Sequence, residues 1–290
     1  MAIKITKSFL TNNDVYVNNL GRIDDRYKIF QDEGPQGLMI HSVGYPQPYA
    51  APIITNWNKP GVEKAAHAFV ESNMIYQTLP WNYRGWHAGG TANNTHIGVE
   101  LCEPSTIRYT GGSSWIDLDP AVTEAFVKKT YEHAIELFAE LCAEYKLDPL
   151  ANDVIISHAE GHKKGIASNH GDPDHLWKHF GLGMDQFRSA VAARMRENEA
   201  AASVLYRVQA GAFRNLFYAK TLQAKLKAAG FDTYLVQAED ALYKVQTGAY
   251  RKEAYAQEQL RKVKNAGFDA YITTKSGKAV HENTKESSKN

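Results

Sequence analysis

The sequence predicts an α/β protein with a mixed central β-sheet flanked by helices, followed by a small α+β domain of β-α-β-β-α-β order. Three observations lead there. Short apolar strands alternate with amphipathic helices through the first two thirds of the chain. The last third repeats: Tyr206-Arg-Val-Gln-Ala-Gly-Ala-Phe213 returns as Tyr243-Lys-Val-Gln-Thr-Gly-Ala-Tyr250, and Ala229-Gly-Phe-Asp-Thr-Tyr234 as Ala266-Gly-Phe-Asp-Ala-Tyr271, both after 37 residues. Charge also changes sign between the parts. Residues 1–200 carry 18 Lys and Arg against 24 Asp and Glu, and residues 201–290 carry 15 against 8.

In chain order, the first 36 residues are polar, with turn signals at Asn12-Asn13 and Asn18–Gly21, and read as loop. Gly37-Leu-Met-Ile-His41 is a short apolar strand ending on an imidazole. Tyr45–Pro60 reads as a loop, after which Pro60 opens a predicted helix to about Ser72, with Val62, Ala65, Ala66, Phe69 and Val70 as its apolar face. Met74–Thr78 is a further strand. Trp81–Gly90, which contains Trp86 and His87, has the aromatic, glycine-rich composition of a ligand-facing loop.

His96–Leu101 alternates: Ile97, Val99 and Leu101 face one side, His96, Gly98 and Glu100 the other. Its apolar neighbours imply partial burial of Glu100. After the glycine-serine turn Thr110–Ser114, Asp119-Pro120 caps a helix to about Tyr145. Its predicted buried stripe is Val122, Ala125, Phe126, Ile135, Phe138, Leu141, Cys142 and Tyr145. Val154-Ile-Ile-Ser-His158 is a second core strand delivering a histidine. An irregular loop follows, with Asp172 held extended by Pro173. A helix over about Met184–Ala201 ends the acidic part. The expected division is residues 1–182, a helix and linker at 183–202, the repeat at 203–275, and a disordered tail at 276–290.

Ser157–Trp177 concentrates the chemistry. It holds four of the eleven histidines, three acids and three glycines, with one large apolar residue before Leu176. A histidine at a strand end and an aspartate in the following loop suit zinc, which takes imidazole and carboxylate ligands at about 2.0–2.2 Å. His41 supplies a second strand-end imidazole, so His41, His158 and Asp172 form a candidate ligand set beside Glu100.

Composition narrows the partners. The basic last third faces a polyanion or an anionic surface. It carries no nucleic-acid motif, so no nucleic-acid partner is expected. Cys102 and Cys142 are in no C-x-x-C pattern and read as buried free thiols. The N-terminus lacks an apolar h-region, and no apolar run is long enough to span a membrane, so synthesis in the cytoplasm without a signal peptide is expected. The oligomeric state is left open.

These residues together resemble the zinc-dependent N-acetylmuramoyl-L-alanine amidases of the type-2, or peptidoglycan-recognition-protein, fold, over roughly residues 35–180. The matching motifs are Met39-Ile-His41, Ile155-Ile-Ser-His158, Gly171-Asp-Pro173, Ile97-Gly-Val-Glu100 and Trp86-His-Ala-Gly89. The resemblance implies one zinc per chain on His41, His158 and Asp172, with Glu100 moving the proton and Trp86 and His87 holding the muramyl-peptide. His170 stands where many members have a lysine, and would stabilise an oxyanion, with a tighter dependence on pH. The bond cut would join N-acetylmuramic acid to L-alanine of peptidoglycan. The repeat resembles the SPOR domain, which binds peptidoglycan glycan strands. Gln209, Phe213, Gln246 and Tyr250 are its glycan-face candidates. A phage endolysin or bacterial autolysin, acting at the cell wall after holin- or lysis-dependent release, fits both resemblances.

Two rival readings are weighed against this. His158-x-x-x-His162 could be a helical zinc pair of a metalloprotease, but the H-E-x-x-H order is absent and Gly161 and Gly165 weaken a helix there. His175 and His179 share that spacing and read as solvated. A non-catalytic peptidoglycan-recognition protein is the second rival; the full set of three ligands plus Glu100 argues for an enzyme.

Overall fold

In the computed structural model, which describes residues 4–21 and 34–280, a six-stranded sheet organises the first of two units, residues 1–196 and 197–290. Its order is β1 (Ile5–Lys7), β4 (Ile75–Gln77), β3 (Ala68–Val70), β5 (His96–Leu101), β2 (Gly37–Ser42) and β8 (Ile155–Ser157). Only β3–β4 is antiparallel; β1–β4, β3–β5, β5–β2 and β2–β8 run parallel. The sheet is therefore mixed, as the sequence predicts.

Period-two alternation sorts the central strands. Leu38, Ile40, Ile97, Val99 and Leu101 pack with Val127, Ala134, Leu137, Phe138 and Leu141 of the helix α3 (Pro120–Tyr145). Each such Val, Leu, Ile or Phe side chain contributes about 1.5–3 kcal/mol on burial. Asp119 caps α3 by accepting from the Val122 N–H, with Pro120 at the first helical position. The expected stripe is shifted, since Val122 is exposed while Val127, Ala134 and Leu137 are buried. The other face of β2 and β5 carries Met39, His41, His96, Gly98 and Glu100, and the site lies there. Cys102 and Cys142 are buried free thiols.

Several predicted elements change. The residues expected to form a helix from Pro60 hold β3, with Ala68, Phe69 and Val70 all fully buried. A strand buried on both faces reads as a continuous apolar run, which helical periodicity also accommodates. The helix here is α2 (Ala50–Trp57), inside the expected loop, with Pro52 in its first turn and Ile53 and Ile54 buried. Residues read as N-terminal loop contain β1 and α1 (Asp14–Gly21), and residues 22–33 lie outside those described. β6 (Ile107–Gly111) and β7 (Ser114–Asp117) form a hairpin around the predicted turn.

The loop expected after β8 opens instead as helix α4 (His158–Lys163). Ser157 and Glu160 form a capping box that starts it despite Gly161. Asp172 lies in a turn before α5 (Asp174–Trp177), joined to Pro173 by a cis peptide bond. Residues 184–202 of the expected linker fall within α6 (Met184–Ser203), whose Met184, Phe187 and Val191 belong to the first unit's core. Arg188 on α6 donates to the Ile155 carbonyl and pairs with Glu160.

The second unit is built from the repeat: β9 (Tyr206–Phe213), α7 (Leu216–Ala228), β10 (Tyr234–Gln237), β11 (Tyr243–Tyr250), α8 (Glu253–Asn265) and β12 (Tyr271–Thr273). The antiparallel sheet has the order β12-β9-β11-β10-β13, where β13 is Lys278–Ala279. Val208, Val245 and Leu235 pack against Ala219 and Leu226 of α7 and Ala256 and Val263 of α8. β12 and β13 are opposite edges, so residues 274–277 cross between them. Along this crossing Arg207 donates to the Thr274 carbonyl and Gln246 to that of Lys275. The expected disordered tail is thus ordered at residues 276–280, because β13 finds an edge to pair with; residues 281–290 lie outside those described.

Candidate metal centre and active site

The site forms where three parallel strands end together. β2 and β5 pair with His41 opposite Glu100, and β8 delivers His158 one residue past its end. Asp172 comes from the turn before α5, and the Ser42 N–H donates to its Oδ2 at 3.1 Å. Nδ1 of His41 and Nδ1 of His158 lie 2.9 Å apart. Asp172 Oδ2 is 3.5 Å from the first and Oδ1 is 3.4 Å from the second. All three side chains are largely buried. Among the described residues they are the His/Cys/Asp/Glu group that could hold a metal ion.

The hydrogen bonds behind these atoms set their character. Nε2 of His158 meets Ser168 Oγ at 3.1 Å, and that hydroxyl donates to the Ala88 carbonyl at 3.2 Å. With its proton on Ala88, the oxygen accepts from His158 Nε2–H, and His158 Nδ1 is left as a lone pair. On the other side Nε2 of His41 lies 2.9 Å from His87 Nδ1, and His87 Nε2 lies 3.0 Å from the His96 carbonyl. The Ser42 N–H bonded to Asp172 favours the carboxylate form of that side chain. Two imidazole nitrogens and a carboxylate therefore converge as acceptors, a donor set that fits a cation.

Glu100 is buried, and its Oε2 has no hydrogen-bond partner among the described residues. Burial, with the Asp172 and Glu103 carboxylates nearby, pushes its carboxyl well above the usual range. Glu103 is fully buried too; it accepts from the Gly44 N–H at 3.0 Å and the Tyr109 hydroxyl at 2.8 Å. Three acids so close within the protein favour a cation among them.

The remaining predicted residues separate. His170 is exposed, with its ring 4.6 Å from that of His158 and its Nδ1 3.0 Å from Ser168 Oγ. His87 is half-buried, with both ring nitrogens engaged by the protein. Trp86 is half-buried; its backbone pairs with Ala65 and its ring lies under the Arg84 guanidinium. His162 is exposed and 3.4 Å from the Ala167 carbonyl, outside the metal cluster. His175 is not merely solvated, because its Nε2 lies 2.6 Å from the Tyr109 hydroxyl.

In the second unit Gln209 and Gln246 are 1% and 3% exposed, the first donating to the Tyr271 hydroxyl at 2.6 Å. Phe213 and Tyr250 pack against the apolar core. The strand register instead lines up Tyr271, Gln209, Gln246 and Tyr234 across four strands. Tyr234 and Tyr271 are 57% and 54% exposed. The sequence reading missed them, although both close the repeated Ala-Gly-Phe-Asp-x-Tyr segment. Ser168, Glu103 and Tyr109 were also missed, and nothing local marks them.

Residues 31–175, half of the chain, match the family profile described as N-acetylmuramoyl-L-alanine amidase, and residues 202–274 match the SPOR domain. The chain is 44% identical over 64 residues to the N-acetylmuramoyl-L-alanine amidase CwlH of Bacillus subtilis, 20% of this chain and 26% of that protein. It is 36% identical over 63 residues to the amidase XlyA of the same organism, 20% of this chain and 21% of that one. The chain thus spans about a quarter or less of the length of these curated relatives. Among solved structures, the Staphylococcus aureus hydrolase AmiA aligns over 69% of this chain and 87% of its own, with 19% identity and a TM-score of 0.49. The peptidoglycan-binding domain of the B. subtilis cell wall lytic enzyme CwlC aligns over 24% of this chain and 86% of its own, with 42% identity and a TM-score of 0.22.

Proposed function

Since the chain belongs to the N-acetylmuramoyl-L-alanine amidase family, we propose that its first unit hydrolyses the amide between N-acetylmuramic acid and L-alanine of peptidoglycan, and that its SPOR unit holds it on the wall. One observation carries the reading: three acceptor atoms converge beside a buried glutamate whose Oε2 has no partner among the described residues. A recognition-only protein has no use for such an acid, which argues for the enzyme.

His41, His158 and Asp172 would hold one zinc ion through Nδ1, Nδ1 and a carboxylate oxygen. Zinc supplies a water of lowered pKa, near 7, and polarises the scissile carbonyl. Glu100 takes the proton of the attacking water and returns it to the leaving amine nitrogen. Burial raises its affinity for protons, which suits a group that takes up a proton and then returns it. His170, exposed beside His158, donates from its ring to the developing oxyanion. Trp86 offers an aromatic surface to the muramyl-peptide. Tyr234 and Tyr271 are the glycan-facing residues we propose on the second unit, with Gln209 and Gln246 between them.

The wall is the proposed site of action, reached after holin- or lysis-dependent release. Among the described residues no helix is long and apolar enough to cross a membrane. Mass spectrometry of purified peptidoglycan digested by the full chain tests the reading. Free L-alanine amino termini should appear, and stop appearing on chelation, with metal analysis giving about one zinc per chain. New reducing sugar ends in place of amino termini would refute it.

A further inference from the structure

We infer that His87 is a positioning residue that dictates which nitrogen of His41 is offered to the metal. The oxygen of His96 can only accept, so the His87 Nε2 lying 3.0 Å from it carries the proton. A neutral imidazole has one N–H, so His87 Nδ1 is a lone pair. That lone pair lies 2.9 Å from His41 Nε2, which must therefore carry the hydrogen. His41 Nδ1 is left bare, and it is the atom that meets His158 Nδ1 and Asp172. A main-chain carbonyl two rings away thus selects the ligand atom.

The fold holds this relay in place. The ring of His87 lies on Gly98, where an added Cβ would sit 2.2 Å from His87 Cγ. The Asn93 side chain accepts from the backbone N–H groups of both His87 and Ala88, at 2.8 Å each. Two motifs that look separate in the sequence, Trp86-His-Ala-Gly89 and Ile97-Gly-Val-Glu100, are therefore one structural unit. The glycine of the second is the seat for the histidine of the first. With both ring nitrogens committed, His87 has neither left for a muramyl-peptide.

The inference rests on the metal-site half of the proposed function and not on which bond is cut. Its test is zinc affinity of the full chain, measured by chelator competition. Loss of an outer partner of a metal-bound histidine costs about 10–100-fold in affinity. His87→Ala should show that loss, and His87→Asn, which keeps an acceptor near the Nδ1 position, should recover most of it. Ring ¹⁵N spectra of the metal-free protein should place the His41 proton on Nε2 in the wild type and on both nitrogens in His87→Ala. If His87→Ala binds zinc within about twofold of the wild type and raises only KM for a soluble muramyl-peptide, His87 is a substrate residue and the inference is overturned. A wild-type chain that takes up no zinc overturns the metal site and this inference together. Normal zinc uptake with a different bond cut overturns only the reaction assigned to it.

Discussion

The two ligand histidines are supported in different ways. Behind His41 stands a second ring, pinned between a glycine and a main-chain carbonyl. Behind His158 stands a hydroxyl, Ser168 Oγ, within reach of Ala88, His158 and His170. Both relays end on a backbone carbonyl. The ring permits one neutral arrangement of protons, whereas the hydroxyl can turn towards His170. One ligand is fixed by the sheet; the other shares its partner with the exposed residue best placed to meet substrate. Metal retention should therefore depend mainly on the His41 side, and coupling to substrate on the His158 side.

The largest expected effect separates both sides from the chemistry. Glu100→Gln keeps shape but cannot act as a base, so turnover of a soluble muramyl-peptide should fall by about 10²–10⁴. Metal analysis of that variant should still find zinc. Near-normal turnover would transfer the base role elsewhere and leave the comparison without a catalytic residue between its two halves.

Next comes pH, acting behind the His41 side. His67 is fully buried, accepts from the Gly98 N–H and reaches the Tyr83 carbonyl. Burial lowers its pKa from 6.5 to about 4, against the opposing bond to the Tyr83 carbonyl. Between those values the unfolded chain binds the proton and the folded one does not. Its contribution is complete above pH 6.5 and lost as pH falls towards 4, a change of about 3 kcal/mol. Urea unfolding of the chelated protein at pH 7 and pH 4.5 should show the loss. His67→Gln should flatten this component of the pH dependence; an equally steep dependence would assign it to other groups.

The smallest effects compare the supports directly. Gly98→Ala drives a methyl into the His87 ring and should destabilise the first unit by about 1–3 kcal/mol while weakening zinc. Ser168→Ala removes a half-buried hydroxyl that water can replace, so zinc affinity should fall by less than about tenfold. Chelator competition on both variants orders them. A larger loss for Ser168→Ala than for Gly98→Ala would invert the comparison.

Legibility followed locality. His41, Glu100, His158 and Asp172 stood out because each lies at a strand end or beside a proline, where a polar residue interrupts an apolar run. The repeat was equally plain. Ser168 carried no signal, because its partner Ala88 is 80 residues away and only the fold joins them. The helix expected from Pro60 failed because β3 is buried on both faces, and α2 was hidden by its proline. The Ser157–Glu160 capping box was in plain sight, but the glycines after it weighed more heavily than they should. His87 was visible, but its setting depends on a missing Cβ at Gly98, and absence leaves no pattern to read.

The crossing of residues 274–277 has a mechanical consequence. β13 is held to β10 by two register pairs and the Val280 N–H to the Leu235 carbonyl, whereas β9 and β11 pair over most of eight residues. Tension applied at the C-terminal end loads the short pairing first. β13 peels away and draws Lys275 off Gln246 while the four repeat-built strands stay paired. A pull in that direction would open this short edge pairing and leave the sheet behind it whole.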